Sequence, residues 1–320
     1  MNDLEVAALA LGVTVVLTPV VIVVARRAGI VDRPGALKPQ GAPVPYLGGV
    51  AVLAGTAVGA LVGRPQVLVP LGAATLLGVA DDWLDLPAPV RLLGQCAVGA
   101  AVVVTCPVRA PGLAAALGLV GVTVLLVNGV NLIDGLDMLA AGVVGVGALG
   151  FTLMLHGWGR QLAVASAGAL VGFLFYNRPP ARVYLGDGGS YLLGTTLAVL
   201  LAAAWAPGVP AVRSIAALAL VAVPAAEVAF AIVRRLRARR SVLAGDRGHP
   251  YDRLVGRGWP RPAASLAYVG TEAVIAAAAV GAARWGSTTT AVVVDAAAAA
   301  LLVALAAATG SLTPDRDALA

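Results

Sequence analysis

The chain is predicted to be an all-α, polytopic bundle of ten or eleven helices embedded in a lipid bilayer, and three observations predict it. Hydrophobic residues fill 60% of the 320 positions and charged residues only 12%, with a mean hydropathy of +0.92. Soluble domains run at roughly 45–50% and 25%, so burial in a water-soluble core is excluded. The apolar residues fall in runs near the length that crosses hydrocarbon as a helix, about 17–25 residues, and a helix satisfies its own backbone there. Polar residues are confined to the gaps between those runs. Ala, Val, Leu and Gly dominate, and small residues let membrane helices approach closely. Spans and short connections occupy the whole length, so residues 1–320 are expected to form one integral domain.

The first run, 4–25, has the placement of a signal peptide. Its leader Met1-Asn2-Asp3-Leu4-Glu5 is acidic, however, and Arg26-Arg27 follow it, so a retained span is expected. Runs at 46–63, 66–80, 90–106, 111–127, 138–156, 161–176, 190–206, 211–233, 263–283 and 287–308 complete the set, the third being the shortest. An extracytoplasmic N-terminus then makes 26–45, 81–89, 128–137, 177–189 and 234–262 cytoplasmic. Lys and Arg support that orientation: 17 of the 22 fall on the inner side, counting Arg91 at a helix start, and only Arg64, Arg109, Arg160, Arg213 and Arg284 fall outside. The net charge of +6 therefore reflects topology and anionic headgroups. No basic domain with interleaved aromatics points to nucleic acid. Cys96 and Cys106 are ten residues apart in one run, about 15 Å along a helix, too far to bridge.

Carboxylates do little to set topology, yet Asp32, Asp81, Asp82, Asp85, Asp134, Asp137, Asp187, Asp246 and Asp252 all fall in the inner connections. Asp81, Asp82 and Asp85 close one run, and acids so spaced repel unless a cation lies between them. Hard oxygen donors of this kind suit Mg²⁺, which takes one or two carboxylates plus substrate phosphates and water. Asn128, Asn131, Asp134 and Asp137 recur every three residues, a spacing that lines up a polar stripe on a helix end, and Gly135 permits close backbone approach there. Leu185-Gly186-Asp187-Gly188-Gly189-Ser190 is a glycine-rich turn leading into a helix. Its backbone N–H groups suit phosphate oxygens, with Asp187 as a metal ligand.

The largest connection opens with Arg234-Arg235-Leu236-Arg237-Ala238-Arg239-Arg240, which reads equally well as a positive-inside anchor. Beyond it, His249 is a candidate for binding phosphate or for acid–base work. His156 lies at an outer helix end and carries no expected role. Glu227, Glu272 and Asp295 fall inside spans, where ionisable groups raise a functional suspicion. Glu227, seven residues before Arg234 and on the same helix face, suggests a structural pair.

Taken together and in order, these motifs resemble the polyprenyl-phosphate N-acetylhexosamine-1-phosphate transferases, the MraY/WecA/TagO-like superfamily (glycosyltransferase family 4). Asp32-Arg33-Pro34-Gly35, Lys38 and Pro43-Val44-Pro45-Tyr46-Leu47-Gly48-Gly49 add a match to the family's first cytoplasmic loop. The resemblance implies a bacterial plasma-membrane enzyme with a cytoplasmic site. It would move a hexosamine-1-phosphate, N-acetylglucosamine-1-phosphate by preference, from a UDP-sugar to a polyprenyl phosphate, releasing UMP. Mg²⁺ is the implied cofactor, with Mn²⁺ as the alternative, and a homodimer stays open. Position by position, Asp187 is the implied metal ligand, and Asp81, Asp82, Asp134 and His249 the catalytic set, with Asp81 activating the polyprenyl phosphate. Lys38, Asn131, Asp137, Asn177 and Tyr184 are the implied substrate contacts, Tyr184 stacking on uracil.

Two departures favour the WecA/TagO-like branch over the peptidoglycan-precursor branch. Leu37, Lys38 and Gln40 stand where the family has Arg-Lys and a histidine, and His249 is single where the family clusters two or three. Two other classes compete. An intramembrane Mg²⁺-dependent prenyltransferase wants a second Asp-rich motif of equal density. A transporter or assembly factor concentrates polar residues near the bilayer midplane, whereas here they gather at one face.

Overall fold

The computed structural model describes residues 1–32, 43–108, 112–243 and 248–313. Thirteen α-helices run through them: α1 (Asp3–Ala28), α2 (Gly48–Gly63), α3 (Leu68–Leu84), α4 (Ala88–Thr105), α5 (Leu113–Ile133), α6 (Leu139–Met154), α7 (Gly157–Asn177), α8 (Gly186–Ala204), α9 (Ala211–Ala216), α10 (Ala222–Arg237), α11 (Pro250–Gly256), α12 (Arg261–Trp285) and α13 (Thr288–Thr309). A two-residue antiparallel ribbon, β1 (Val31–Asp32) with β2 (Val44–Pro45), pairs Val31 with Pro45 and Asp32 with Val44. Among the described residues nine helical segments are long and apolar enough to cross a bilayer, one of them running continuously over Ala211–Arg237, and Gly48–Gly63 and Leu139–Met154 are shorter apolar helices. The protein is an all-α polytopic membrane bundle, and each of the eleven expected runs falls on one of these segments.

The expected boundaries move at one end of the bundle. Asp81 and Asp82 lie on the last turn of α3, Asn128 and Asn131 lie within α5, and the glycine-rich turn is the first turn of α8. Helices extend past their apolar runs there because polar residues of neighbouring helix ends satisfy one another. Elsewhere Thr14, Thr18, Thr75, Thr123, Ser166 and Thr196 return their hydroxyls to the carbonyl four residues back, removing polar donors from the apolar interior. Large apolar side chains such as Val16, Leu76 and Val104 face outward, as a lipid-exposed surface requires.

Helix α8 is the axis. Every residue from Gly188 to Ala204 is buried, and α2, α3, α4, α5, α6 and α7 pack around it. Glycines permit the closest approaches. A Cβ on Gly49 of α2 would run into Gly189 of α8, and one on Gly78 of α3 would strike the Asp187 carbonyl. A Cβ on Gly194 would meet the Val127 backbone of α5. Gly186 takes φ +71°, so a side chain there would be strained as well as crowded by Tyr46 and Asp82. Three helix ends thus meet backbone to backbone. Gly78→Ala is expected to wedge α3 from α8 and to cost about 1–3 kcal/mol, as overpacking does. Thermal unfolding in detergent checks it, with Gly72→Ala, whose added methyl meets open space, as the control.

Candidate active site

The first turn of α8 carries the densest polar contacts. Asp82 reaches it from α3, its Oδ1 accepting the N–H of Asp187 at 3.0 Å and its Oδ2 the N–H of Gly188 at 3.3 Å. A carboxylate here satisfies donors that a helix start leaves without partners and lies at the positive end of the helix dipole. The sequence pattern suggested that these N–H groups would cradle phosphate. They are occupied by Asp82 instead, and the glycines are needed because the helix backbones touch.

The Asp187 side chain accepts a hydrogen bond from Asn131 Nδ2 at 2.7 Å, and the same amide donates to Ser190 Oγ at 3.1 Å. Asn128 does not join them. Its Nδ2 donates to Gln95 Oε1 on α4 at 2.6 Å and to the Val124 carbonyl. A three-residue step leaves successive side chains about 60° apart around the helix, enough to turn Asn128 towards α4 while Asn131 faces α8.

Asp81 is buried, with both oxygens engaged. Oδ1 accepts the Leu86 N–H at 3.0 Å, and Oδ2 accepts from Tyr191 Oη at 2.6 Å and from Arg91 at 3.4 Å. This places it as a bracket beside Asp187 rather than as an open base facing a lipid phosphate. Asp85, at φ 48°, caps α3 and is exposed, outside the acidic cluster. Tyr46 Oη donates to the Asp82 carbonyl at 3.4 Å, and burial, then the charge of Asp82, holds its hydroxyl above the ordinary range.

Asp134 and Asp137 lie just past α5. Burial pushes the Asp134 carboxyl well above the usual range, and the charges of Asp187, Asp82 and Asp137 push it further. Asp137 is also raised by burial, opposed by the Ala181 N–H, which donates to its Oδ2 at 3.0 Å, and by Arg261. Burial, then the nearby charges of Asp137 and Asp32, raises the Tyr184 hydroxyl to about 12. Asn177 is buried and bonded at both ends: its Oδ1 accepts the Met138 N–H and its Nδ2 donates to the Val183 carbonyl, both at 2.9 Å. It ties the site's loops together. Lys38 lies outside the described residues.

His249 is also buried. Its Nδ1 is 2.8 Å from Glu227 Oε2, and its ring stacks on Tyr251 at 5.4 Å between centroids. Glu227 also accepts from Tyr268 Oη at 2.5 Å. The pairing of Glu227 with Arg234 suggested by their shared face does not form, because Glu227 is committed to these two partners. Tyr251 Oη donates to the Leu132 carbonyl at 2.8 Å, beside the space Gly135 leaves, which joins the histidine cluster to the Asp134 turn. The contact with Glu227 fixes the orientation of the imidazole ring. The missed participants are Tyr46, Arg91, Tyr191, Glu227, Tyr251 and Tyr268. Of these, Glu227 carried the signal of an acid inside a span, and Tyr46 lay in the Pro43–Gly49 motif.

Residues 65–204, spanning α3 to α8, match the family described as glycosyl transferase family 4. A decaprenyl-phosphate N-acetylglucosaminephosphotransferase of Mycolicibacterium smegmatis is 32% identical, over 77% of this chain and 74% of its own. The chain belongs to glycosyltransferase family 4. Among further relatives in that family, an undecaprenyl-phosphate α-N-acetylglucosaminyl 1-phosphate transferase of Yersinia pestis is 27% identical over 79% of this chain and 77% of its own. A phospho-N-acetylmuramoyl-pentapeptide-transferase of Desulforudis audaxviator is 37% identical over 59% of this chain and 72% of its own.

Gathered acids should weaken the fold that holds them. A carboxyl whose folded pKa is raised binds its proton more tightly folded than unfolded, so stability is lost as pH rises from the ordinary Asp range through the folded value. In EDTA at pH 8, Asp134→Asn is therefore expected to unfold at a higher temperature than the parent, with the gap closing as pH falls towards 4. A thermal melt across that range measures it.

Proposed function

We propose that the chain transfers N-acetylglucosamine-1-phosphate from UDP-N-acetylglucosamine to a polyprenyl phosphate, releasing UMP, at the cytoplasmic face of a bacterial membrane. The observation that carries the proposal is the convergence of Asp82, Asp187, Asn131 and Asp134 from α3, α5 and α8 at one end of the bundle. The activities named for relatives covering 77% and 79% of this chain support the substrates, and the distribution of Lys and Arg supports the side. Clustering at one end, away from the midplane, speaks against a transporter.

The donor set fits a divalent cation with few protein ligands. The oxygen donors of Asp82, Asp134 and Asp187 suit Mg²⁺ completed by water and substrate phosphates, with Mn²⁺ as the alternative. The proton-holding tendency of Asp134, driven by burial and by neighbouring acids, is what a cation would relieve. Asp187 would hold the ion, with Asp82 and Asp134 beside it, and the bound ion would neutralise the pyrophosphate.

The reaction needs little covalent help from the protein. An oxygen of the polyprenyl phosphate attacks the sugar-linked phosphorus, and the bond from that phosphorus to the bridging oxygen breaks, the bridging oxygen leaving with UMP. The chain supplies alignment and charge balance. Asn131 orients Asp187, Asp82 fixes α8 against α3, Tyr184 and Asp137 line the nucleotide side, and His249 serves the phosphates.

Purified protein given UDP-N-acetylglucosamine, polyprenyl phosphate and Mg²⁺ is expected to release UMP; no release from any UDP-hexosamine would sink the proposal. Asp187→Asn and Asp82→Asn are each expected to lose about 10²-fold or more in turnover, as displaced electrostatic groups do. Asparagine can accept only one of the two N–H groups that Asp82 engages, so the thermal midpoint of Asp82→Asn is measured beside its turnover to separate charge from fold. Protons compete with the cation for Asp134 and Asp137, both held above the ordinary range. The Mg²⁺ concentration for half-maximal rate should therefore rise as pH falls from 8 to 6, which a Mg²⁺ titration at each pH reads.

A further inference from the structure

We propose that the C-terminal end of α13 is a latch that positions His249, a role that rests on the transfer reaction proposed above. A helix leaves its last four carbonyls without intrahelical donors, and here every carbonyl from Ala306 to Thr313 has a partner. Gly310, at φ +74°, and Ser311 turn their N–H groups back onto Ala307 and Ala306. The Gly310 carbonyl accepts from Thr313. Arginines of the loop that carries His249, and of the helix before it, take the remainder. Arg257 Nη1 and Nη2 donate to the carbonyls of Ala308 and Thr309 at 3.0 and 2.9 Å. Arg234 donates to Ser311 at 2.9 Å, Arg237 to Leu312 at 2.8 Å and Arg253 to Thr313 at 3.2 Å.

Such a set exceeds what a positive-inside anchor requires, because each guanidinium meets a specific carbonyl: Arg257 those at the negative end of the α13 dipole, and Arg234, Arg237 and Arg253 those of the turn that follows it. The path to the histidine is short. His249 is the N-cap of α11, Arg253 lies in that helix, and Arg257 is its C-cap. Gly248 packs on Arg234 so closely that a Cβ there would lie 2.6 Å from the arginine's Cδ and Nε. Arg234 is itself 3% exposed, and two turns earlier on α10 Glu227 holds His249 Nδ1. Helix α11 has only seven residues, and isolated helices that short are unstable. Its orientation, and with it the ring of His249, therefore depends on what its ends grip. Arg234, Arg237, Arg253 and Arg257 are positioning residues in this account.

The test uses the full chain with Arg253→Gln/Arg257→Gln, and Arg26→Gln/Arg27→Gln in the last turn of α1 as a charge-matched control. Hydrogen exchange of amides 248–257 is expected to accelerate in the first pair and to stay unchanged in the control, since local opening tracks lost contacts. Unchanged exchange in the first pair would overturn the latch, whether or not any UDP-sugar is turned over. In the UMP assay the first pair should lower kcat/KM about tenfold, as lost orienting partners do. In a His249→Ala background the same pair should change it less than about twofold, because coupled residues are non-additive. Equal losses in both backgrounds would mean the arginines act on folding alone and would overturn the positioning role. Absence of UMP from the parent protein would count against the transfer reaction, leaving the exchange result to decide the latch.

Discussion

The carboxylate of Asp82 on the first turn of α8 is the contact on which the arrangement depends. It is made possible by glycines at the meeting of α2, α3 and α8, where a single methyl would separate the helices. It brings the end of α3 onto α8, and α5 reaches the same turn through Asn131. One acid is thus used to bring a second, Asp187, into register with a third, Asp134. Without the cap, three helices would still bury their apolar faces, but their polar ends would not share a pocket.

Gathering these acids opposes folding, and the protein manages the conflict by assigning unequal roles. Asp81 is neutralised in place by Arg91, Tyr191 and a backbone N–H. Asp82 is answered by helix N–H groups. Asp134 receives no comparable relief and is the one most driven towards its protonated form among the acids beyond the helix ends.

Much of this was legible in the residues. Composition and run length sufficed to locate the apolar helical segments, because hydrocarbon admits few alternatives. Order and spacing sufficed to single out Asp82, Asn131, Asp134, Asp187 and His249. What could not be read was direction. Three-residue spacing aligned Asn128 with Asn131 on paper, but a 60° offset is decided by which neighbour is nearest, and that neighbour is fixed by packing. The glycine-rich turn looked like an anion cradle because sequence cannot distinguish a glycine needed for a ligand from one needed for another helix. Tyr191 and Arg91 drew no notice as site residues, since their meaning lies in a contact 110 and 10 residues away at Asp81.

Helix α8 is sheathed on every side by protein from Gly188 to Ala204. A segment without a lipid-facing stripe gains nothing from resting alone in the bilayer, so its place must be prepared for it. Of the helices that wrap it, α2 to α7 precede it in the chain and α9 follows. Its position is therefore set chiefly by helices of the N-terminal half, and a change of volume on any of their inward faces is transmitted to the turn that carries Asp187.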